Sequence, residues 1–204
     1  MAVNRRALTG IKQAGRRWRS NIAASLDPTL VERARNGDLP AFESIVRQRM
    51  DAVYRLTLAI VGNEADAGDA TQDAFVAAWR QIRSLRDPER LDAWLTRIAV
   101  NSARMVARGR RRREVREILV DPTSINPSSV AEDPAAGPAE DARALGMALD
   151  RLTTDQRSIL ALHHLDGRGV SEIGAILDIP EGTVKSRLFS ARRALMAAMA
   201  EPDR

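Results

Sequence analysis

The stretch from Ser171 to Leu195 restricts the fold more than any other, because two short helical spacings meet there at a residue pair that cannot continue a helix. Ile173, Ile176 and Leu177 recur at i, i+3 and i+4 and make one apolar face. Asp178-Ile179-Pro180 then interrupts the pattern, since the pyrrolidine ring of Pro180 drives Ile179 out of the helical region. Val184, Leu188, Ala191 and Leu195 resume it on a second helix, and Glu181 suits the positive end of that helix's dipole. The opposite face carries Lys185, Ser186, Phe189, Arg192 and Arg193. Two helices joined by a tight turn, the second with a basic outer face, form the helix-turn-helix arrangement that lays a helix in the DNA major groove. The competing reading is a plain helical hairpin with solvated charges.

Composition narrows the possibilities further. Lys and Arg total 32 against 27 Asp and Glu, net +5, and only Lys12 and Lys185 are lysines. Arginine therefore carries nearly all the positive charge, and its planar fork suits phosphates and base edges; GC-rich codon usage gives the same bias. Aromatic residues are 3% of the chain, so aliphatic side chains must build its cores. Cysteine is absent, which excludes disulfides, a thiol switch, a Cys nucleophile and Cys-ligated zinc. No apolar run approaches bilayer thickness, and the basic N-terminus lacks the apolar segment of a secretory signal. The expectation is a cytoplasmic protein without stable membrane insertion.

The class expected is all-α, two small helical domains joined by a flexible acidic linker. Residues 1–29 hold Arg5, Arg6, Lys12, Arg16, Arg17 and Arg19 against Asp27 and read as a solvated basic arm. Residues 30–113 read as three or four helices. Phe42, Ile45, Val46, Val53, Leu56 and Ile60 share a face that ends at Gly62-Asn63, and Ala67, Ala70, Ala74, Phe75, Ala78, Trp79 and Ile82 share the next. On a third helix Trp94, Leu95, Ile98, Ala99, Ser102, Met105 and Val106 point inward. Residues 114–140 set six acids against Arg116 and mix four prolines with Ser, Ala and Gly, the composition of a linker. Residues 141–204 form the second domain, with a lead helix, a helix over Asp155–Leu165 and the helix-turn-helix. His163 and His164, adjacent on that helix, are expected to point apart and to be structural.

Two faces carry chemistry besides the last helix. Asp66, Asp69, Gln72 and Asp73 make an acidic, hydrogen-bonding ridge. Arg97, Asn101, Arg104, Arg108 and Arg111 make a stripe whose arginines can neutralise phosphates and whose Asn can read a base edge. Trp94 has the shape of a base-stacking platform, but its spacing with Leu95 and Ile98 favours the core. A metal-carboxylate nuclease lacks a matching His or Lys constellation, so no catalytic residue, metal ligand, cofactor or small-molecule substrate is expected.

The blocks DAGDATQDAF at Asp66–Phe75, WLTRIAVN at Trp94–Asn101 and IPEGTVKSRL at Ile179–Leu188, in this order and with this linker, resemble the extracytoplasmic-function sigma factors of bacterial RNA polymerase. The resemblance spans residues 30–199. It implies that Asp66, Asp69, Gln72 and Asp73 grip a coiled coil of the polymerase β′ subunit. It implies that Arg97, Asn101, Arg104, Arg108 and Arg111 read the −10 element and hold its opened strand. It implies that Lys185, Ser186, Phe189 and Ser190 read the −35 element, with Arg192 and Arg193 on phosphates. The partners implied are core polymerase (β′ and β subunits), promoter DNA and an anti-sigma factor; the protein is then no enzyme, and DNA opening is driven by binding. The chain departs from the family pattern at Met105 (usually Asp), at Asp178 (usually Gly), at Arg168-Gly169 and at Ser190. The alternative is a stand-alone helix-turn-helix regulator of duplex operators.

The linker supplies a length test. Its 27 residues reach roughly 90 Å fully extended, and elements about 25 base pairs apart span roughly 85 Å. A free coil of this length averages about 30 Å. Both elements are reached together only if something holds the tether stretched.

Overall fold

A computed structural model describes residues 26–120 and 138–200, so most of the basic arm and the middle of the linker lie outside the described residues. All regular structure among the described residues is helical. The first bundle contains α1 (Pro28–Arg35), α2 (Leu39–Val61), α3 (Glu64–Gln81) and α4 (Leu91–Val120), with short 3-10 turns at Ile82–Ser84 and Pro88–Arg90. The second contains α5 (Pro138–Asp150), α6 (Thr154–Leu160), a π-helical turn at Ala161–Leu165, α7 (Val170–Leu177) and α8 (Glu181–Ala200).

Local chemistry sets most of these boundaries. The carboxylates of Asp27 and Asp38 accept from the backbone N–H groups of Thr29 and Ala41, and the Asn63 side-chain oxygen accepts from that of Asp66. Each satisfies a donor that a helix start would leave unpaired. Gly62 ends α2 in the left-handed region at φ 87°, and Asp178 ends α7 there at φ 56°. Asp can adopt this conformation because its short polar side chain bonds locally, so the corner forms without the glycine usual there.

The first core is aliphatic and finely packed. Ile45, Leu56 and Ile60 of α2 meet Ala67, Ala70, Ala74 and Ala78 of α3 and Leu95, Ala99, Val100 and Ala103 of α4, all buried. The alanines let α3 and α4 approach closely; each larger aliphatic side chain contributes about 1.5–3 kcal/mol by leaving water. Thr57 and Thr71 share a buried hydroxyl hydrogen bond of 2.8 Å between α2 and α3. In the second bundle Ile159, Leu162, Ile173, Val184, Leu188, Ala191 and Leu195 close the core.

The structure departs from the sequence expectations at several points. Helix α4 runs to Val120, past Arg113, so its last turns occupy the start of the acidic segment. Met105, expected inside, is 70% exposed; Ala103 and Ala107 take the buried positions either side of it. The single helix over Asp155–Leu165 is an α-helix followed by a π-helical turn. The wider π turn alters the angle between neighbouring residues, and the His163 and His164 rings meet edge-on, centroids 4.7 Å apart, rather than pointing apart. Among the described residues no group of His, Cys, Asp and Glu can hold a metal ion, and no helix is long and apolar enough to cross a membrane.

The two bundles do not stand apart. Helix α6 and the π turn pack on α2, and α6 and α7 pack on α4. Arg49, only 3% exposed and set within the apolar face of α2, marks the edge of this seam. Its Nε donates to Asp92 Oδ1 at 2.7 Å and its Nη2 to Oδ2 at 3.3 Å. Arg49, Asp92 and Thr96 line a small cleft together with Asp166 and Arg168 of the second bundle.

Candidate nucleic-acid interface

The helix-turn-helix is built by close approach. A Cβ on Gly174 would lie 2.9 Å from the Ile179 carbonyl oxygen, so only glycine lets the turn after α7 fold back against it. Below the turn, Ile173 and Ile176 bury against Val184 and Leu188. This fixes the rotation of α8 and leaves Lys185, Ser186, Phe189, Ser190 and Arg193 on the solvent side. Phe189 is 68% exposed, an uncommon setting for a phenyl ring. Arg192 is placed differently: it is half-buried, and its Nε donates to His164 Nε2 at 3.3 Å.

On α4, Arg97, Asn101, Arg108 and Arg111 are exposed. Arg104 leaves this stripe. Its Nη2 lies 2.9 Å from Asp155 Oδ1 of α6, and its side chain is 14% exposed. Met105 falls four residues after Asn101 and three before Arg108, on their exposed side. Trp94 is partly buried and packs against the core.

The acidic ridge on α3 divides in the same way. Asp69, Gln72 and Asp73 are exposed, while Asp66 is 8% exposed. Asp66 Oδ2 accepts from Asn63 Nδ2 at 2.8 Å and from Arg110 Nη1 at 3.1 Å. It thereby ties the start of α3 to the far part of α4. Further along α3, Val76 and Trp79 remain open to solvent, and the Trp79 ring meets Phe42 with centroids 5.0 Å apart.

Sequence reasoning did not single out the polar cluster at the seam. Asp166 is buried, and burial pushes its carboxyl above the usual carboxylate range against the opposing pull of Arg168. Arg168 holds it with an Nε–Oδ2 bond of 2.8 Å, reaches Glu172 Oε1 from Nη1 at 3.0 Å, and donates from Nη2 to Thr96 Oγ1 of α4 at 3.4 Å. One signal was available: Arg49 stands between Ile45 and Val53 on an apolar face, where a charge requires a partner.

The structure thus offers exposed basic side chains on α4 and α8 and an outward acidic trio on α3, whose carboxylates suit basic groups on a protein partner. Comparison with known proteins matches both bundles to one family. Residues 45–113 match the family described as Sigma-70 region 2, and residues 142–195 match Sigma-70, region 4. The ECF RNA polymerase sigma-E factor of Escherichia coli is 35% identical over 185 residues, covering 83% of this chain and 92% of that protein. The RNA polymerase sigma-H factor of Pseudomonas aeruginosa is 31% identical over 180 residues, covering 85% and 93%. Among solved structures, the sigma factor RpoE in complex with the anti-sigma factor NepR from Bartonella quintana aligns with a TM-score of 0.61 at 26% identity, covering 79% of this chain and 98% of that one. CnrH in complex with the cytosolic domain of CnrY aligns at 0.57 and 28%, covering 84% and 95%. With both sigma modules in order and relatives matched over nearly their whole length, the chain belongs to the extracytoplasmic-function sigma factors of the sigma-70 family.

Proposed function

We propose that this chain, which as a sigma factor recognises promoters and initiates transcription with RNA polymerase, divides that work among three surfaces. Asp69, Gln72 and Asp73 dock on basic groups of the polymerase β′ subunit, with Asp66 acting behind them as the anchor that orients the start of α3. Arg97, Asn101, Arg108 and Arg111 face the −10 element, while Arg104 of the same stripe is held by Asp155. Arginines neutralise phosphates there, and Asn101 supplies a donor and an acceptor to a base edge. Lys185, Ser186, Phe189 and Ser190 enter the major groove at the −35 element, with Arg193 on the backbone and Arg192 bracing the helix through His164. Region 2 corresponds to the domain over residues 30–113 and region 4 to that over 141–204, joined by the acidic segment 114–140, whose start continues α4 to Val120 and whose end opens α5 at Pro138, with residues 1–29 as an arm.

Holding unstacked bases offsets an unpairing cost of a few kcal/mol per base, so strand opening needs no catalytic group from this chain. The solved sigma factor RpoE is in complex with the anti-sigma factor NepR, and we extend that partner class to this chain as the agent that keeps it from polymerase.

The observation that carries this division is the outward trio on α3. Its carboxylates have no role in the core, unlike that of Asp66. The test replaces Asp69 and Asp73 with Arg. Core polymerase capture should be lost, with the melting temperature and the binding of −35 duplex by the second bundle unchanged. Undiminished capture would remove this assignment.

A further inference from the structure

Helix α4 carries an apolar side chain where its surface is otherwise polar. Met105 is 70% exposed, more than any other large apolar side chain among the described residues, Phe189 included. A lone apolar residue at a surface is ordinary; the setting of this one is not. Arg97, Asn101, Met105, Arg108 and Arg112 fall at i, i+4, i+8, i+11 and i+15, a single file along the helix, and all five are exposed. Arg104 is drawn out of this file to Asp155, so Met105 is the next exposed side chain after Asn101. The core does not use it. Ser102, Ala103 and Ala107 supply the buried face at this level, and Val106 packs against it.

What each member of the file can do follows from its type. Arginines hold phosphates and bring no sequence information. Asn101 can hydrogen-bond a base edge. Met105 can do neither, since it has no charge and its thioether is a weak acceptor. It is flexible and polarisable, and it fits irregular apolar surfaces. The apolar feature that a base presents is the thymine C5 methyl, which cytosine lacks. Four residues of helix rise about 6 Å, between one and two base steps of about 3.4 Å.

We propose that Met105 is a specificity residue: it packs on a thymine methyl one or two positions from the base held by Asn101 and sets a preference for thymine over cytosine there. The inference rests on the reading of this face of α4 as the −10 surface. Burying one methyl group is equivalent to about a fourfold change in affinity.

The test uses holoenzyme reconstituted from the full chain and core polymerase, transcribing a promoter library randomised over the −35 and −10 elements. The parent should favour thymine over cytosine about fourfold at one −10 position. Asn101→Ala should alter the profile one or two positions away. Met105→Ala should erase the thymine preference at its own position and leave the others unchanged. Met105→Leu, which keeps an apolar end, should retain it. Met105→Asp should turn it toward cytosine, whose N4 amino group donates to a carboxylate. Melting temperature and core polymerase capture should not move, because the side chain lies outside the core and away from α3. A Met105→Ala profile identical to the parent's overturns the proposal. So does an equal loss with all four bases, which marks a backbone contact or a structural role. A preference more than two positions from that of Asn101 overturns it as well. If Asn101→Ala and Met105→Ala both leave the profile unchanged, the −10 reading of α4 falls too. If only Met105→Ala does, that reading stands and this inference alone fails.

Discussion

Helices α4 and α8 both carry a basic stripe, yet the fold treats them differently. On α8 the face assigned by periodicity stays outside: Lys185, Ser186, Phe189, Ser190 and Arg193 are all exposed, and only Arg192 is drawn in. On α4 two of the arginines, Arg104 and Arg110, are engaged by Asp155 and Asp66. The neighbours of α8 lie within its own bundle, which claims one face of it, so its buried and open sides follow from its own spacing. Helix α4 touches α2, α3 and a second bundle. Each of those contacts claims a different face, and the sequence of α4 alone cannot rank them.

The contrast can be broken at its strongest point first. Leu188→Ala removes the central knob beneath α8 and should cost about 2–5 kcal/mol. If the bundles are separate folding units, only the second should melt early. Calorimetry resolving two transitions checks this, and a single joint transition lowered as a whole would mean that the shared apolar core couples the bundles into one folding unit. Phe189→Ala should weaken binding to −35 duplex by about 1 kcal/mol, the order of an apolar base contact, without moving either transition. Titration of the duplex against the variant decides whether the exposed ring reads DNA.

The smallest effect is a pH dependence at the seam. Burial raises the Asp166 carboxyl above its unfolded value of 3.8. The folded chain therefore binds more protons than the unfolded chain over that interval. The contribution of Asp166 to stability is full below pH 3.8 and is lost as pH rises through the raised value. Asp166→Asn should flatten the difference in melting temperature between pH 4 and pH 6 measured against the parent chain. An unaltered slope would show that Asp166 is not desolvated at the seam.

Much of the first bundle was legible because its signals are local and redundant. The faces of α2 and α3 follow from aliphatic residues at helical spacing, and the break between them follows from Gly62-Asn63. Asp178 could be read as a turn residue because the requirement there is a property of one backbone position. Met105 could not. Its spacing suits the core as well as solvent, and the choice fell to the small alanines either side of it, which let α4 approach its neighbours without it. The His163–His164 contact was hidden for a related reason: a π turn is not encoded by periodicity, and it changes which way successive side chains point.

The sequence by itself determined an all-helical chain, the helix-turn-helix, the sigma-factor family and the chemical types on each functional face. All of these depend on contacts between residues near one another in the chain or on the order of motifs along it. Only the tertiary structure decided which members of those faces remain open. Asp66, Arg104 and Arg192 each found a partner far away in sequence. A charged side chain goes to whichever opposite charge or acceptor the packing brings within reach, and that choice is not written in its own neighbourhood.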